Sequence, residues 1–216
     1  MKRQLVIAIF LSALVATADA SERLLGEFQD GWRDRWSERM LSTRRNTFGV
    51  VEEGDGNRAL QIKSDSSASA LWYDLRNSSS VGRRLSWRWR VDTDAVHARN
   101  ERERSGDDYR ARVLVVFDRD RALCYVWASS EPVGSVFPSP ADERVTTFVL
   151  RTGDDHVGQW QMEERDIERD YRSVWGESPA MLSAVALIVD TDDTDSQATT
   201  RFDDVVLTPI ETDHEH

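Results

Sequence analysis

Apolar and polar residues alternate along this chain in short runs, and a period of two dominates from residue 47 to residue 207. Runs at 47–52, 59–63, 68–75 and 85–92 are separated by turn clusters such as Glu53-Gly54-Asp55-Gly56-Asn57 and Asn77-Ser78-Ser79-Ser80, and they predict four strands. The clearest stretch is 106–130. Val113, Val115 and Phe117 share one face of a strand, while Arg110, Arg112, Leu114 and Val116 share the other. A strand apolar on much of both faces belongs in the middle of a sheet. A hairpin with the following run, which carries Tyr125 and Trp127, is therefore expected at the centre of the domain. Further strands are read at 144–152, 159–165, 181–190 and 199–207. Recurrence every 10 to 15 residues or so, with no long helical period between, predicts an all-β antiparallel sandwich.

One segment departs from this pattern. Asp166 can cap a helix in which Ile167, Tyr171 and Val174 or Trp175 share a face, and Gly176 ends it, so a short helix is predicted near 166–175. Phe28, Trp32 and Trp36 recur every four residues, as in repeated helical turns or a segment covering the end of a sandwich. The charged run 96–107 reads as a solvated loop over one sheet edge, with a functional lid as the sharper alternative. Pro132, Gly134, Pro138 and Pro140 make 131–142 an irregular connection.

The N-terminus adds a compartment. Lys2 and Arg3 precede an apolar run, Leu5 to Ala16, and the small residues Ala18 and Ala20 flank a cleavage point after Ala20. That is the pattern of a secretory signal peptide over 1–20, and it predicts a periplasmic or secreted product with no membrane anchor once cleaved. One β-sandwich domain is expected over 21–210, with a disordered tail at 211–216. The net charge of −11 argues against nucleic acid and anionic lipid as partners. The single cysteine, Cys124, lies in a predicted central strand and reads as a small core hydrophobe.

Catalytic signatures are absent. There is no nucleophile elbow, zinc-protease motif, phosphate loop, dinucleotide glycine pattern or paired-cysteine motif. His97, His156, His214 and His216 all fall in predicted loops or the tail, which leaves serine and cysteine hydrolase mechanisms without a base. Carboxylates are so numerous that a glycosidase pair is easily matched by chance. In the acidic run 190–195, Asp190 and Asp192 offer oxygen ligands of the kind a structural calcium takes, although a polar turn with Asp190 pairing to an arginine explains them equally.

Arginine inside strands is the most informative pattern. Trp87, Trp89 and Val91 share one face of their strand and Arg88 and Arg90 the other; Arg112 and Arg165 sit similarly elsewhere. A guanidinium on a partly buried face must be paired, and Asp92, Asp107, Asp108, Glu163, Asp166 and Asp190 are candidate partners. Two arrangements satisfy this. One is a closed structural network. The other is a groove in which Arg88, Arg90, Asp107, Asp108, Arg112, Arg165 and Asp166 hold a polar ligand such as a sugar, with Tyr125, Trp127, Trp72 and Trp160 as stacking platforms.

The motifs W-R-W-R-V-D (87–92), G-D-D-Y-x-x-R-V (106–113), C-Y-V-W-A (124–128), W-x-x-E-x-R-D (160–166), D-Y-x-x-x-x-G (170–176) and D-T-D-D-T (190–194), in this order, resemble the bacterial domain of unknown function 3047 family. The resemblance implies a secreted or periplasmic jelly roll similar in outline to carbohydrate-binding modules, and brings no activity with it. Asp193 departs from the asparagine expected there, which weakens any metal or ligand role carried over to that position. The expectation is an exported, non-catalytic binder of a glycan or other polar small molecule. A carboxylate-pair glycoside hydrolase and a structural envelope protein are the alternatives.

Overall fold

A computed structural model describes residues 22–54, 56–76, 84–95, 99–117, 121–179 and 181–209. The signal segment, the 211–216 tail, His97, His214, His216 and the Asn77–Ser80 turn lie outside these residues. Thirteen strands are present in chain order: β1 (Arg23–Gly26), β2 (Trp36–Met40), β3 (Thr47–Gly54), β4 (Asn57–Asp65), β5 (Ala68–Asp74), β6 (Arg84–Val91), β7 (Ala111–Phe117), β8 (Ala122–Ala128), β9 (Val136–Pro138), β10 (Val145–Thr152), β11 (Gln161–Asp166), β12 (Leu182–Asp190) and β13 (Gln197–Thr208). Among the described residues one α-helix, α1 (Ile167–Trp175), stands between β11 and β12.

The strands form two sheets, as the alternation predicts. The six-stranded sheet runs β11-β6-β13-β4-β3 with β1 beside β13; the seven-stranded sheet runs β2-β5-β12-β7-β8-β10-β9. β7 is its middle strand, flanked antiparallel by β12 and β8. One pairing is parallel. β10 lies parallel to β8 because the irregular 131–142 segment first lays down the short outer strand β9, and β10 then returns between the two. β10 and β11, adjacent in sequence, belong to different sheets.

The inward faces make one aromatic core. Trp87 meets Trp89 and Tyr125, each at a centroid distance of 5.5 Å, and Trp89 meets Trp127 at 6.0 Å. Truncating one such ring costs roughly 3–5 kcal/mol. Trp36 donates to the carbonyl of Leu25, Trp89 to Glu163 and Trp127 to the carbonyl of Gly153, whereas the buried Trp87 Nε1 has no acceptor. Phe28, Trp32 and Trp36 join this core, and only Trp32–Asp34 is helical, as a single 3-10 turn. The lead-in therefore packs against the sandwich rather than forming an amphipathic helix.

α1 forms as its sequence predicts. Asp166 accepts from the Arg169 amide at 2.9 Å, and Gly176 closes the helix at φ 72°, a left-handed geometry that glycine adopts without strain. The described part of the charged 96–107 loop differs from expectation: it is anchored, not merely solvated. Glu101 is buried, and its carboxylate accepts from the amides of Ser129 (2.7 Å), Ser130 (3.1 Å) and Glu131 (2.7 Å). Those bonds satisfy a charge that burial would otherwise make costly.

Candidate functional site

The residues expected to share one groove are divided among three places. Arg88 and Arg90 lie on the outward face of the six-stranded sheet, where every guanidinium is met by carboxylates. Arg88 reaches Asp203 and Asp204 (2.5 and 2.8 Å); Arg90 reaches Asp92 (2.6 Å) and Glu53 (3.6 Å); Arg201 bridges Asp92 (2.9 Å) and Glu53. Trp160 is tied into the same layer, lying under Arg88 at 4.7 Å and donating to Glu53. The network is closed, and its hub Glu53 was missed in the sequence because it falls at a predicted turn. Burial works against the Glu53 charge, yet hydrogen bonds from Arg201 and Trp160 hold its carboxyl below the usual range.

Asp107, Asp108 and Arg112 gather at one end of the seven-stranded sheet with the 190–194 loop. Arg112 Nη2 bonds Asp190 Oδ2 at 2.8 Å and the Asp107 carbonyl, and its Nη1 lies 3.5 Å from Asp107 Oδ1. Asp108 accepts from the amides of Thr194 (2.6 Å) and Asp193 (3.4 Å). Arg112 is thus an internal clamp beneath Tyr109, not a ligand-facing cation. Carboxylate oxygens of Asp108, Asp190 and Asp192 lie within 4.8 Å of one another, beside a cavity of about 30 Å³ that Asp108 and Asp190 help to line. Burial pushes the Asp190 carboxyl well above its ordinary range; Arg112 opposes this, while Asp192 and Asp108 add to it. Burial likewise raises Asp107 and Asp193.

Tyr125 and Trp127 correct the expectation of stacking platforms. Both are fully buried between the sheets, so neither offers a ring face to a ligand. Arg165 is bound bidentately by Asp170 at 2.7 and 2.8 Å, and Asp166 is occupied as the helix cap. These residues hold α1 to the sandwich. Cys124 is buried and burial pushes its thiol up to about 12, as a core cysteine requires and a nucleophile does not.

A different surface is left open. On the seven-stranded sheet the outward rows are apolar at the centre: Trp72 of β5 faces Ala186 of β12, which faces Leu114 of β7, and Ala184 faces Val116, which faces Ala122. Half-buried Trp72 and Leu114 lie over the buried Ala70, Ala186 and Ile188. Ser37, Arg39 and Asp74 share this outward side at the β2 and β5 end of the sheet. Trp72 was a candidate ring in the sequence; its setting was not foreseeable, because small residues become a floor only once their strands are ordered.

Residues 34–206 match the family described as "Protein of unknown function (DUF3047)". The chain belongs to the DUF3047 family. No curated protein matches it in sequence. Among solved structures, this DUF3047 chain is similar to the cellulose-induced protein Cip1, with a TM-score of 0.52 and 11% identity over 87% of this chain and 98% of that one. It is also similar to a family 11 carbohydrate-binding module from a Clostridium thermocellum cellulase, with a TM-score of 0.47 and 8% identity over 90% and 98% of the two chains. At 11% identity the likeness to Cip1 concerns the fold alone, in agreement with the jelly-roll sandwich expected from the sequence.

Proposed function

We propose that this DUF3047 chain is an exported, non-catalytic module that holds a glycan against the outward face of its seven-stranded sheet, with Trp72 as the stacking ring. One observation carries the reading: a half-buried tryptophan on an outward sheet face, packed among Ala70, Ala186, Ile188 and Leu114, with Arg39 stacked on its ring at 3.7 Å and Ser37 and Asp74 beside it. Antiparallel sheets usually turn polar side chains outward, so an apolar outward face calls for a specific occupant. Sugar rings offer apolar C–H faces to an aromatic ring and hydroxyls to polar groups such as Ser37, Arg39 and Asp74.

The non-catalytic part rests on the carboxylates. Among the described residues, the buried ones are engaged: Asp107 by Arg112, Asp170 by Arg165, Asp203 by Arg88, and Glu101 and Asp108 by backbone amides. A glycosidase needs one carboxyl free to give a proton and another free to attack or to activate water. Export rests on the signal pattern of residues 1–20. The test is a glycan array followed by calorimetry on wild type and Trp72→Leu, which keeps an apolar side chain but removes the ring. Binding should weaken roughly 10- to 100-fold, the 1–3 kcal/mol typical of losing one stacking ring. Equal binding by the variant would remove Trp72 from the site. No binding of any glycan by the wild type would favour the structural alternative, which the closed Glu53 network supports.

A further inference from the structure

We infer that the glycan is acidic: the Trp72 face takes a uronate-bearing polysaccharide, and Arg39 receives the sugar carboxylate. This rests on the glycan reading above and goes further by naming the charge of the ligand. The Arg39 guanidinium carbon sits 3.7 Å from the centroid of the Trp72 ring, the distance of a stacked pair. A guanidinium stacked this way keeps its N–H donors in its own plane, directed outward past the ring, where a planar carboxylate can meet two of them.

Arg39 is also a cation of this face with no close ion pair among the described residues. Its outward-facing counterpart in β7, Arg112, is neutralised by Asp107 and Asp190. Asp74, the acid nearest in kind on the same side, is bound through both oxygens by Arg76. Arg39 itself is exposed, and although its charge helps to lower Asp74 it makes no hydrogen bond or close ion pair with any described residue. On the outer faces of both sheets the strand arginines Arg88, Arg90, Arg112 and Arg201 are held by carboxylates, whereas Arg39 is held chiefly by a tryptophan, which leaves its N–H donors for an external anion. The net charge of −11 opposes a polyanion at long range, but that field is screened beyond about 8 Å at physiological ionic strength, while the stacked pair acts at contact.

Calorimetry with hexagalacturonate, cellohexaose and dextran sulfate tests this on the full mature chain. The uronate oligomer should bind at least about tenfold tighter than the neutral one, the equivalent of one good ion pair. Arg39→Ala should erase that difference, bringing hexagalacturonate down to the affinity the same variant has for cellohexaose, and Arg39→Lys should restore only part of it because a lysine cannot form the bidentate contact. Because Arg39 is exposed, the variants should melt with the wild type, which a thermal scan checks. Equal affinity for both hexasaccharides, or no effect of Arg39→Ala, overturns the inference while a Trp72→Leu defect leaves the glycan reading standing. Dextran sulfate competing as well as the uronate, regardless of Arg39, means bulk charge attraction and also overturns it. Absence of binding to all three, with no hit on the array, removes both readings together.

Discussion

The Tyr125 hydroxyl donates to Asp170 Oδ2 at 2.8 Å, inside the core, joining the central hairpin of one sheet to the helix that follows the edge strand of the other. Arg165 closes the unit by gripping the same carboxylate from β11. Burial pushes the Tyr125 phenol well up, so it is a permanent donor at any pH the protein meets.

Asp170→Asn should therefore be among the most damaging conservative changes. It leaves Arg165 without its partner, and breaking a partly buried pair of this kind costs about 3 kcal/mol or somewhat less given the exposed edge of Arg165. Tyr125→Phe should cost only about 1 kcal/mol, since Asp170 keeps Arg165. Urea titrations that gave the two variants equal midpoints would refute this division.

Arg112→Met should unfold or severely destabilise the chain, by about 3–5 kcal/mol, because Asp107 and Asp190 would be left enclosed with no counter-charge and would have to take up protons to fold. A soluble, wild-type-like melt for this variant would contradict the clamp assignment. Glu53→Gln should be milder, since Arg90 and Arg201 are part-exposed and keep Asp92.

Stability should peak on the acid side of neutrality. Asp190, Asp107 and Asp193 have carboxyls raised by burial, so their protonated forms favour the folded state; that contribution is present at low pH and is lost as pH rises through the raised values. Hydrogen bonds from Arg76 hold Asp74 down to about 2, and Arg102 and Arg144 likewise lower Glu131 and Asp142; their contribution is present above the ordinary carboxylate range and is lost as pH falls. The melting temperature should thus climb as pH drops through the raised values of the first group and fall again as pH passes below the ordinary carboxylate range, about 4. Asp190→Asn should flatten the climb; an identical profile in that variant would exclude Asp190 as its source.

A divalent cation can offset the same crowding of negative charge that a proton relieves. Calcium should raise the melting temperature through Asp108, Asp190 and Asp192, and Asp192→Asn should abolish the increment. Indistinguishable melts in calcium and in excess chelator would dispose of the idea.

Much of the fold could be read from alternation alone. Val113, Val115 and Phe117 face inward as the period of two requires, and Asp166 and Gly176 bound the helix because capping is a local affair. What escaped depends on contacts distant in sequence. Several arginine partners are legible, since Asp92 meets Arg90 and Asp107 and Asp190 meet Arg112, whereas nothing local points to Asp203, which meets Arg88 across 115 positions. Tyr125 and Trp127 looked like site residues because an aromatic in a central strand reads alike whether its face is inside or out. Strands β1 and β2 are not legible in the alternation because β1 is only four residues long and four of the five residues of β2 are exposed.

The pairing of β1 with β13 sets Arg23 opposite Leu207, so the first and last described strands are hydrogen-bonded neighbours. A few linking residues would close the domain into a ring, and reopening it at the exposed 42–45 turn would give a circular permutant with every strand intact. The same juxtaposition means this sandwich can be spliced into a surface loop of another protein as a self-contained insert.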